Sequence, residues 1–451
     1  MPLKATNFLL FLSLFRSTPV SAATLDNCVF LGEEEKNNLY EDGDIVIGGL
    51  FPLHYSPVAS FPTYKTKPAP IIYNICLFII SRTLRWMQTM AFAIKEINQR
   101  SDLLPQLKLG FHIRDSCNDI PVSLRALLVL ANGQPERSTT ESLNRAEGVE
   151  RNISDSTLGC DAVHRAVSHV IIGDAASGVS IAMLRSLGSF HIPLVSYFAS
   201  CSCLSNQREF PTFMRTMPSD AFQIRALAQL VSYFGWTWVG VIGVDSDYAR
   251  FAIQLFLQES VKYGVCAAYT HLYPVTLGQQ MASSKVIINF SSESEMQSIL
   301  TEIRKRNIKG LQWIASEAWA TATALWENSG DLLMGTLGFA IRRADVIPGL
   351  RQHLLGLRPP YIHKSAFLAE LWEETFNCKL NGSVNSHYHG TGNYLDREPC
   401  KGTENLNDVY SAYSDVTQLR VSYNVYKAVY LVAHALEDMN HVPLLDCYMS
   451  S

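Results

Sequence analysis

Short apolar runs alternate with amphipathic segments along most of the chain, and this alternation constrains the fold more than any other sequence feature. Residues 44–50 (DIVIGGL) form an apolar run with paired glycines, which is typical of a buried strand. In residues 85–99, Trp86, Met90 and Ile94 recur at four-residue steps with charged residues on the other face, which predicts an amphipathic helix. Further strands are predicted at residues 107–113, 169–172, 193–197, 236–242, 285–289 and 311–315, and further helices at residues 122–131, 179–187, 221–234, 248–263 and 294–306.

This sustained order of strand and helix predicts an α/β fold with parallel sheets and helices on both faces. The chain has 451 residues, which is too many for one such sheet. We therefore expect two α/β lobes, with ligands bound at the carboxyl ends of their strands. Two polar segments, residues 134–159 and 380–410, are predicted to be long surface loops.

Composition and motifs argue against nucleic-acid binding and catalysis. Thirty-seven basic and 41 acidic residues give a net charge of −4, which leaves no large basic field for a nucleic acid. The chain carries no dinucleotide-binding, phosphate-loop or nucleophile-elbow motif. His387 and His389 lie in a Gly/Asn-rich segment without a cysteine or acid at ligand spacing, so a zinc hydrolase is a weak alternative. We expect a protein that is not an enzyme, with no resident cofactor or metal.

The N-terminus has the pattern of a secretory signal peptide. Lys4 precedes an apolar run at residues 8–15, and small residues follow at 20–23. This order is typical of a cleaved signal over residues 1–23, and the apolar run is too short to span a bilayer. The rest of the chain is therefore expected in the secretory pathway, where disulfides persist.

Polar residues stand at several predicted junctions between strands and helices. Ser177 begins a helix whose free N–H groups could bind a carboxylate, although ordinary N-capping is the simpler interpretation. Ser200 lies on a neighbouring connection of the same lobe. Asp220 and Glu317 begin helices of the second lobe, where they could merely complement a helix dipole, and Tyr248 stands at a third junction. Together these residues put a carboxylate site on one lobe and two acids on the other, as a zwitterion would require.

Eight motifs carry a more specific signal. They are DIVIGGLFP (44–52), RWMQ (85–88), FAIKEIN (92–98), IPLVSY (192–197), FMRTMPSD (213–220), ASEAWA (315–320), WEETFNC (372–378) and SYNVY (422–426). They resemble the ectodomains of class C G-protein-coupled receptors, over about residues 40–440. The similarity is greatest to calcium-sensing receptors and to vomeronasal type-2 and fish amino-acid olfactory receptors. The segment FASCSC (198–203) favours the vomeronasal and olfactory group.

The resemblance implies a bilobed Venus flytrap, like a periplasmic binding protein, that closes on an amino acid as the signalling trigger. Its expected parts are residues 24–218 (first part of lobe 1), 219–339 (lobe 2) and 340–451 (return to lobe 1). The cysteine-rich and seven-helix domains of the family are missing, so the sequence resembles a truncated receptor. The alternatives are a non-sensing dimerisation partner and a secreted decoy.

The resemblance also implies roles for individual residues and partners. The ligand carboxylate would meet Ser177 and Ser200, and the ligand ammonium would meet Asp220 and Glu317. Tyr248 would be an aromatic residue of the cleft, and Arg82 would lie in the pocket for the ligand side chain. Expected partners are a free amino acid, Ca²⁺ as a possible modulator, and a second receptor chain bound through lobe 1. A G protein would be reached only through the membrane domain of a full-length form, which would lie in the plasma membrane. Departures from the family pattern at Thr83, Asp174 and Ala175 leave the preferred ligand side chain open.

The ten cysteines and the glycosylation sequons complete these expectations. The resemblance implies the disulfides Cys76–Cys117 and Cys378–Cys400, and an exposed free thiol at Cys266. The partners of five cysteines stay open: Cys28, Cys160, Cys201, Cys203 and Cys447. Sequons begin at Asn152, Asn289 and Asn381, and Asn152 and Asn381 are the better glycosylation candidates because Asn289 lies in a predicted strand.

Overall fold

The computed structural model describes residues 38–55, 76, 78–135, 164–165, 167–273, 284–344, 346–358, 365–380, 397–417 and 419–441. The signal peptide and several single residues that were singled out above lie outside these ranges: Cys28, Asn152, Cys160, Asn381, His387, His389 and Cys447. Among the described residues, two short strands, Gln134–Pro135 and His164–Arg165, pair antiparallel in a small unit of their own. The predicted loop at 134–159 therefore begins with a strand. The remaining described residues belong to one compact unit.

The first sheet of this unit has six strands. They are β1 (Asn38–Glu41), β2 (Ile45–Phe51), β5 (Leu109–Asp115), β8 (Ser168–Ile172), β9 (Leu194–Ser196) and β10 (Phe213–Arg215), in the order β1-β5-β2-β8-β9-β10. The remaining numbers belong to the short pair β3 (His54–Tyr55) and β4 (Phe78–Ile79) and to the two short strands above, β6 and β7. Only β1 runs antiparallel to its neighbour in this sheet; the other pairings are parallel. Central strand β2 is almost entirely buried, which explains its continuous apolar sequence.

Helices cover both faces of this sheet, and we call the sheet with its helices the first lobe. They are α1 (Ser81–Asn98), α2 (Ile120–Asn132), α3 (Ser177–Leu187), α9 (Leu350–Leu355), α10 (Ala366–Phe376) and α11 (Arg420–His441). One core includes Phe51, Met90 and Val429, and a second core on the other face includes Leu50 and Leu127. The apolar stripe predicted at Trp86, Met90 and Ile94 is buried in the first core.

The second sheet has five parallel strands, and we call it with its helices the second lobe. The strands are β11 (Trp238–Val244), β12 (Cys266–Tyr273), β13 (Val286–Phe290), β14 (Gln312–Ala315) and β15 (Leu337–Gly338), in the order β12-β11-β13-β14-β15. The helices are α4 (Asp220–Tyr233), α5 (Asp247–Val261), α6 (Glu293–Lys305), α7 (Glu317–Ala320) and α8 (Thr323–Leu333). Trp313, Trp319 and Phe256 are fully buried in its core. The predicted α/β fold with two parallel sheets is confirmed.

Helices α1 and α11 pack together through a small polar cluster as well as through the core. The hydroxyl groups of Tyr426 and Tyr430 both donate to Glu96 Oε2, at 2.6 and 2.9 Å. Helix α11 thus packs on a helix that begins more than 300 positions earlier in the chain, at Ser81.

We expect Tyr426→Phe to lower the free energy of unfolding by about 1 to 2 kcal/mol, because it removes a hydrogen bond to a charged acceptor while keeping the ring. Urea denaturation of the two proteins measures this loss. Tyr40→Phe is the control, since the hydroxyl of Tyr40 bonds Asp42 at an exposed site and its removal should cost a few tenths of a kcal/mol. Equal losses in the two variants would contradict the role assigned to the Glu96 cluster.

Three disulfides lie among the described residues. Cys76–Cys117 and Cys378–Cys400 are the pairs that the resemblance implies. The third pair, Cys201–Cys203, joins two residues whose partners the sequence left open. Cys266 begins the edge strand β12 and is exposed and not in a disulfide.

A buried ionic cluster lies under the first sheet. The ring of His54 is fully buried, with Nδ1 2.6 Å from Asp115 Oδ2 and Nε2 2.9 Å from Glu370 Oε2. Burial by itself would lower the pKa of His54, but the two carboxylates outweigh it and raise the pKa to about 10. His54 is therefore a cation that links β3 to the end of β5 and to α10.

No helix in the described part of the chain combines the length and the apolar character needed to cross a bilayer.

Asn289, which begins one of the three sequons, is fully buried in β13, where its side chain forms hydrogen bonds with Tyr273 and Ser291.

Candidate ligand-binding site

The two serines of the predicted carboxylate site lie together in the first lobe. Ser177 is the first residue of α3 and is 4% exposed. Its hydroxyl accepts the backbone N–H of Cys201 at 3.2 Å, while Ala176 occupies the cap position. The interpretation of Ser177 as an ordinary N-cap is therefore wrong. Its hydroxyl instead holds the loop that carries Ser200 against the start of α3.

The same loop reaches the second lobe through Asp220. The backbone N–H of Asp220 donates to the carbonyl of Ser200 at 2.8 Å, and Arg215 donates to that carbonyl at 3.1 Å. Asp220 is the first residue of α4 and is only 4% exposed. Burial raises the pKa of Asp220 to about 6, against the opposing effects of the Ser200 hydroxyl and the Arg215 charge. Among the described residues its Oδ2 has no hydrogen-bond partner.

Glu317 and Tyr248 lie near Asp220, since the charges of both acids act on the hydroxyl of Tyr248. Glu317 begins α7, is 8% exposed, and accepts the backbone N–H of Ile341 at 2.7 Å. Burial raises the pKa of Glu317 to about 7, although this hydrogen bond and the charge of Arg420 lower it. Tyr248 packs edge-on against Phe290, and burial followed by the charge of Asp220 raises the pKa of Tyr248 well above its usual value. The structure thus brings the predicted acids and the predicted aromatic to one place.

A repeated signal in the sequence explains how the second lobe presents acids there. Four of its helices begin with a serine cap followed by an acid: Ser219-Asp220, Ser246-Asp247, Ser292-Glu293 and Ser316-Glu317. Serine suits the cap, and an acid in the first turn complements the helix dipole. Because α5, α6 and α7 follow the parallel strands β11, β13 and β14, their starts meet at one edge of the second sheet, whereas α4 follows β10 of the first sheet. This repeat could have identified Glu293, which the motif comparison missed.

The first lobe meets this edge closely. A Cβ added at Gly178, at the start of α3, would lie 3.5 Å from Asp247 Oδ2 at the start of α5. Ser177 therefore lies at a helix start on the first-lobe side of this contact, and Asp220 and Glu317 lie at helix starts of the second lobe. This arrangement can bind a small molecule that carries one negative and one positive group.

Arg82, the predicted pocket residue, lies at the border between the lobes. It is the second residue of α1, and its Nη1 is 2.7 Å from Oε2 of Glu293 at the start of α6. Its guanidinium also lies over the ring of Trp86, 5.5 Å from the centroid. These three residues line a cavity of about 150 Å³. Arg82 thus lies beside a partly open cavity, where it is paired with an acid of the other lobe.

Asp174, one of the residues that depart from the family pattern, lies just before α3. It is fully buried, and its Oδ1 accepts the N–H of Ala176 at 2.9 Å just before α3. Burial raises the pKa of Asp174 to about 6, despite that hydrogen bond.

Comparison with known proteins identifies the family of the chain. The family described as "Receptor family ligand binding region" matches residues 85–448. The chain belongs to the ligand-binding regions of class C G-protein-coupled receptors. Its fold is therefore the bilobed, periplasmic-binding-protein-like Venus flytrap of that family, as the motifs predicted.

Individual relatives are receptors rather than enzymes. The chain is 37% identical to the extracellular calcium-sensing receptor of Mus musculus over 425 residues, or 88% of this chain and 38% of that receptor. It is 27% identical to a metabotropic glutamate receptor of Drosophila melanogaster, over 88% of this chain and 40% of the relative. It is 30% identical to the human taste receptor type 1 member 3, over 67% of this chain and 35% of the relative. The chain thus spans well under half the length of these relatives, and the closer likeness to vomeronasal and olfactory receptors stays a prediction.

Proposed function

We propose that this chain is the amino-acid-sensing ectodomain of a class C receptor and binds its ligand between the two lobes. The observation that carries the proposal is the buried carboxylate of Asp220, whose Oδ2 has no partner among the described residues. A buried carboxylate with an unsatisfied oxygen is costly, and an ammonium group would supply both the charge and the hydrogen bond that it lacks.

Both charged ends of an amino acid find complementary groups. The carboxylate would bind at Ser177 and Ser200 with N–H groups at the start of α3, and the ammonium between Asp220 and Glu317, beside Tyr248. A bare cation such as Ca²⁺ would use the acids but not the donors of the first lobe. The geometry therefore favours a zwitterion as the main ligand. Ca²⁺ as a modulator rests on the similarity to calcium-sensing receptors alone.

Binding would then drive closure of the lobes. One ligand touches both sets of groups only when the lobes approach, so it shifts the population toward the closed form. In this proposal lobe 1 comprises residues 24–218 and 340–451, lobe 2 comprises residues 219–339, and residues 1–23 are a signal peptide. Dimerisation through lobe 1, display at the cell surface and coupling to a G protein through a membrane domain belong to the same proposal.

The test is a thermal-unfolding titration of the purified protein with the twenty common L-amino acids. A ligand present at 100 times its Kd stabilises the native state by about 2.7 kcal/mol, which should raise Tm by several degrees. The matched variant Glu317→Gln should keep the fold and lose most of this shift, because the amide has no charge for the ammonium. If no amino acid changes the Tm of the folded protein, the sensing function is contradicted. In that case, a molecular mass in solution that rises with protein concentration would favour a non-sensing dimerisation partner.

A further inference from the structure

The ion pair between Arg82 and Glu293 is a direct side-chain contact between the lobes. Nη1 of Arg82 and Oε2 of Glu293 are 2.7 Å apart, and the two side chains are 26% and 24% exposed. Both line the 150 Å³ cavity. Salt screens a partly buried ion pair less than it screens a pair at the surface. Each charge of the pair therefore strongly changes what the other can bind.

The cavity as a whole is balanced in charge. Three arginines and three acids line it: Arg82, Arg85, Arg420, Glu293, Glu327 and Asp415. Arg85 is committed to the chain before α11, since its Nη1 donates to the carbonyls of Ala412 and Asp415. Arg82, in contrast, belongs to the first lobe and forms its ion pair with the second lobe, where Glu293 neutralises its charge.

Glu293 is not required for the helix that it begins. Ser292 and Glu295 form a complete capping box at the start of α6, with the N–H of Ser292 donating to Glu295 Oε2 at 2.6 Å. The helix start is therefore satisfied without the Glu293 side chain. Its carboxylate is therefore not needed at the helix start and pairs with Arg82 in the cavity instead.

We propose that Glu293 is a specificity-determining residue, which excludes acidic amino acids from this site and favours uncharged side chains with a hydrogen-bond acceptor. The inference rests on the proposed amino-acid function and adds the class of ligand to it. An acidic side chain that approached Arg82 would meet the carboxylate of Glu293 on the same guanidinium. It would gain little net attraction for the cost of its own desolvation.

An uncharged acceptor escapes this penalty. The Nε–H of Arg82 is buried and has no hydrogen-bond partner among the described residues. A carboxamide oxygen could accept this N–H while Glu293 keeps Nη1. Without Glu293, the whole edge of the guanidinium becomes available to a carboxylate in the bidentate geometry that arginine favours.

Calorimetric titration with glutamine and glutamate tests the proposal on the full chain. The wild type should bind glutamine at least tenfold more tightly than glutamate. In Glu293→Gln, glutamate affinity should rise about tenfold or more, so that the preference is lost or reversed. Glu293→Ala should give the same change, which would assign it to the lost charge rather than to the new amide.

The matched control is Glu302→Gln, which removes an acid of the same helix that pairs with Arg306 at the surface. Its glutamine-to-glutamate ratio should equal that of the wild type. Tighter binding of glutamate than of glutamine by the wild type, or an unchanged ratio in both Glu293 variants, would overturn the inference while the sensing function stood. Failure of every amino acid to bind the folded wild type would instead overturn the proposed function, and this inference with it.

Discussion

Asp220→Asn should make the ligand-free protein more stable and at the same time weaken amino-acid binding about a hundredfold. The carboxylate is buried, and its pKa is raised from an ordinary value of 3.8 to about 6. Keeping it ionised at neutral pH therefore costs up to about 3 kcal/mol, and the neutral amide removes this cost. The same substitution removes the charge that an ammonium would bind, and a hydrogen bond to a charged group contributes about 1.5 to 3 kcal/mol.

The expected pH dependence follows from the direction of the shift. Because the folded state holds the Asp220 proton more tightly than the unfolded state, the stability linked to this group is fully present below pH 3.8 and is lost as pH rises through about 6. Ligand affinity should change in the opposite direction. It should fall as pH drops through about 7, where Glu317 gains a proton, and then through about 6, where Asp220 does.

Urea denaturation and calorimetric titration between pH 5 and pH 8 measure both effects. In Asp220→Asn, the fall in ligand affinity as pH drops through about 6 should be absent. Asp331→Asn is the control, because Asp331 pairs with Arg304 at the surface of the second lobe. A variant that loses stability, or binds amino acids as tightly as the wild type, would contradict the role of Asp220.

His54→Ala should lower the free energy of unfolding by about 3 to 5 kcal/mol, which is the usual cost of breaking a buried ion pair from one side. The substitution leaves the carboxylates of Asp115 and Glu370 without the cation between them. Since the folded pKa of His54 is raised to about 10, its contribution is fully present below about pH 6.5 and is lost as pH rises through about 10. The wild type should therefore lose stability in strong alkali, and the variant should lack this part of the loss.

His112→Ala is the matched control for this prediction. His112 is also fully buried, but neither of its ring nitrogens has a hydrogen-bond partner among the described residues. Its removal creates a similar cavity without isolating a carboxylate, so it should cost clearly less. Losses of equal size in urea denaturation would show that His54 acts by packing alone.

The strand and helix order could be predicted from the sequence because both sheets are mainly parallel and buried. Apolar runs such as 44–50 correspond to strands covered on both faces, and these runs leave little ambiguity. Edge strand β12 (CAAYTHLY) was missed for the opposite reason: most of its side chains are at least partly exposed, so it lacks an apolar run.

The candidate site could be predicted only where a residue's position depends on local chain chemistry. Asp220 and Glu317 begin helices after serine caps, and the structure has them there. The pairing of Arg82 with Glu293 joins residues more than 200 positions apart, and neither residue is unusual in its own segment. Likewise, the contact of Ser177 with Cys201 depends on how two loops meet, so the local sequence could not predict it.

The packing of α11 on α1 has a consequence for the order in which the lobes are built during synthesis. All the strands of the second sheet lie within residues 238–338, so the ribosome releases that sheet as one continuous segment. The first lobe needs residues 420–441 to cover α1, and until they emerge its apolar surface stays open. Domains built from nearby contacts form fastest, whereas distant pairings wait for the whole segment between them. We therefore expect nascent chains that stop near residue 400 to hold a folded second lobe and to need chaperones for the first.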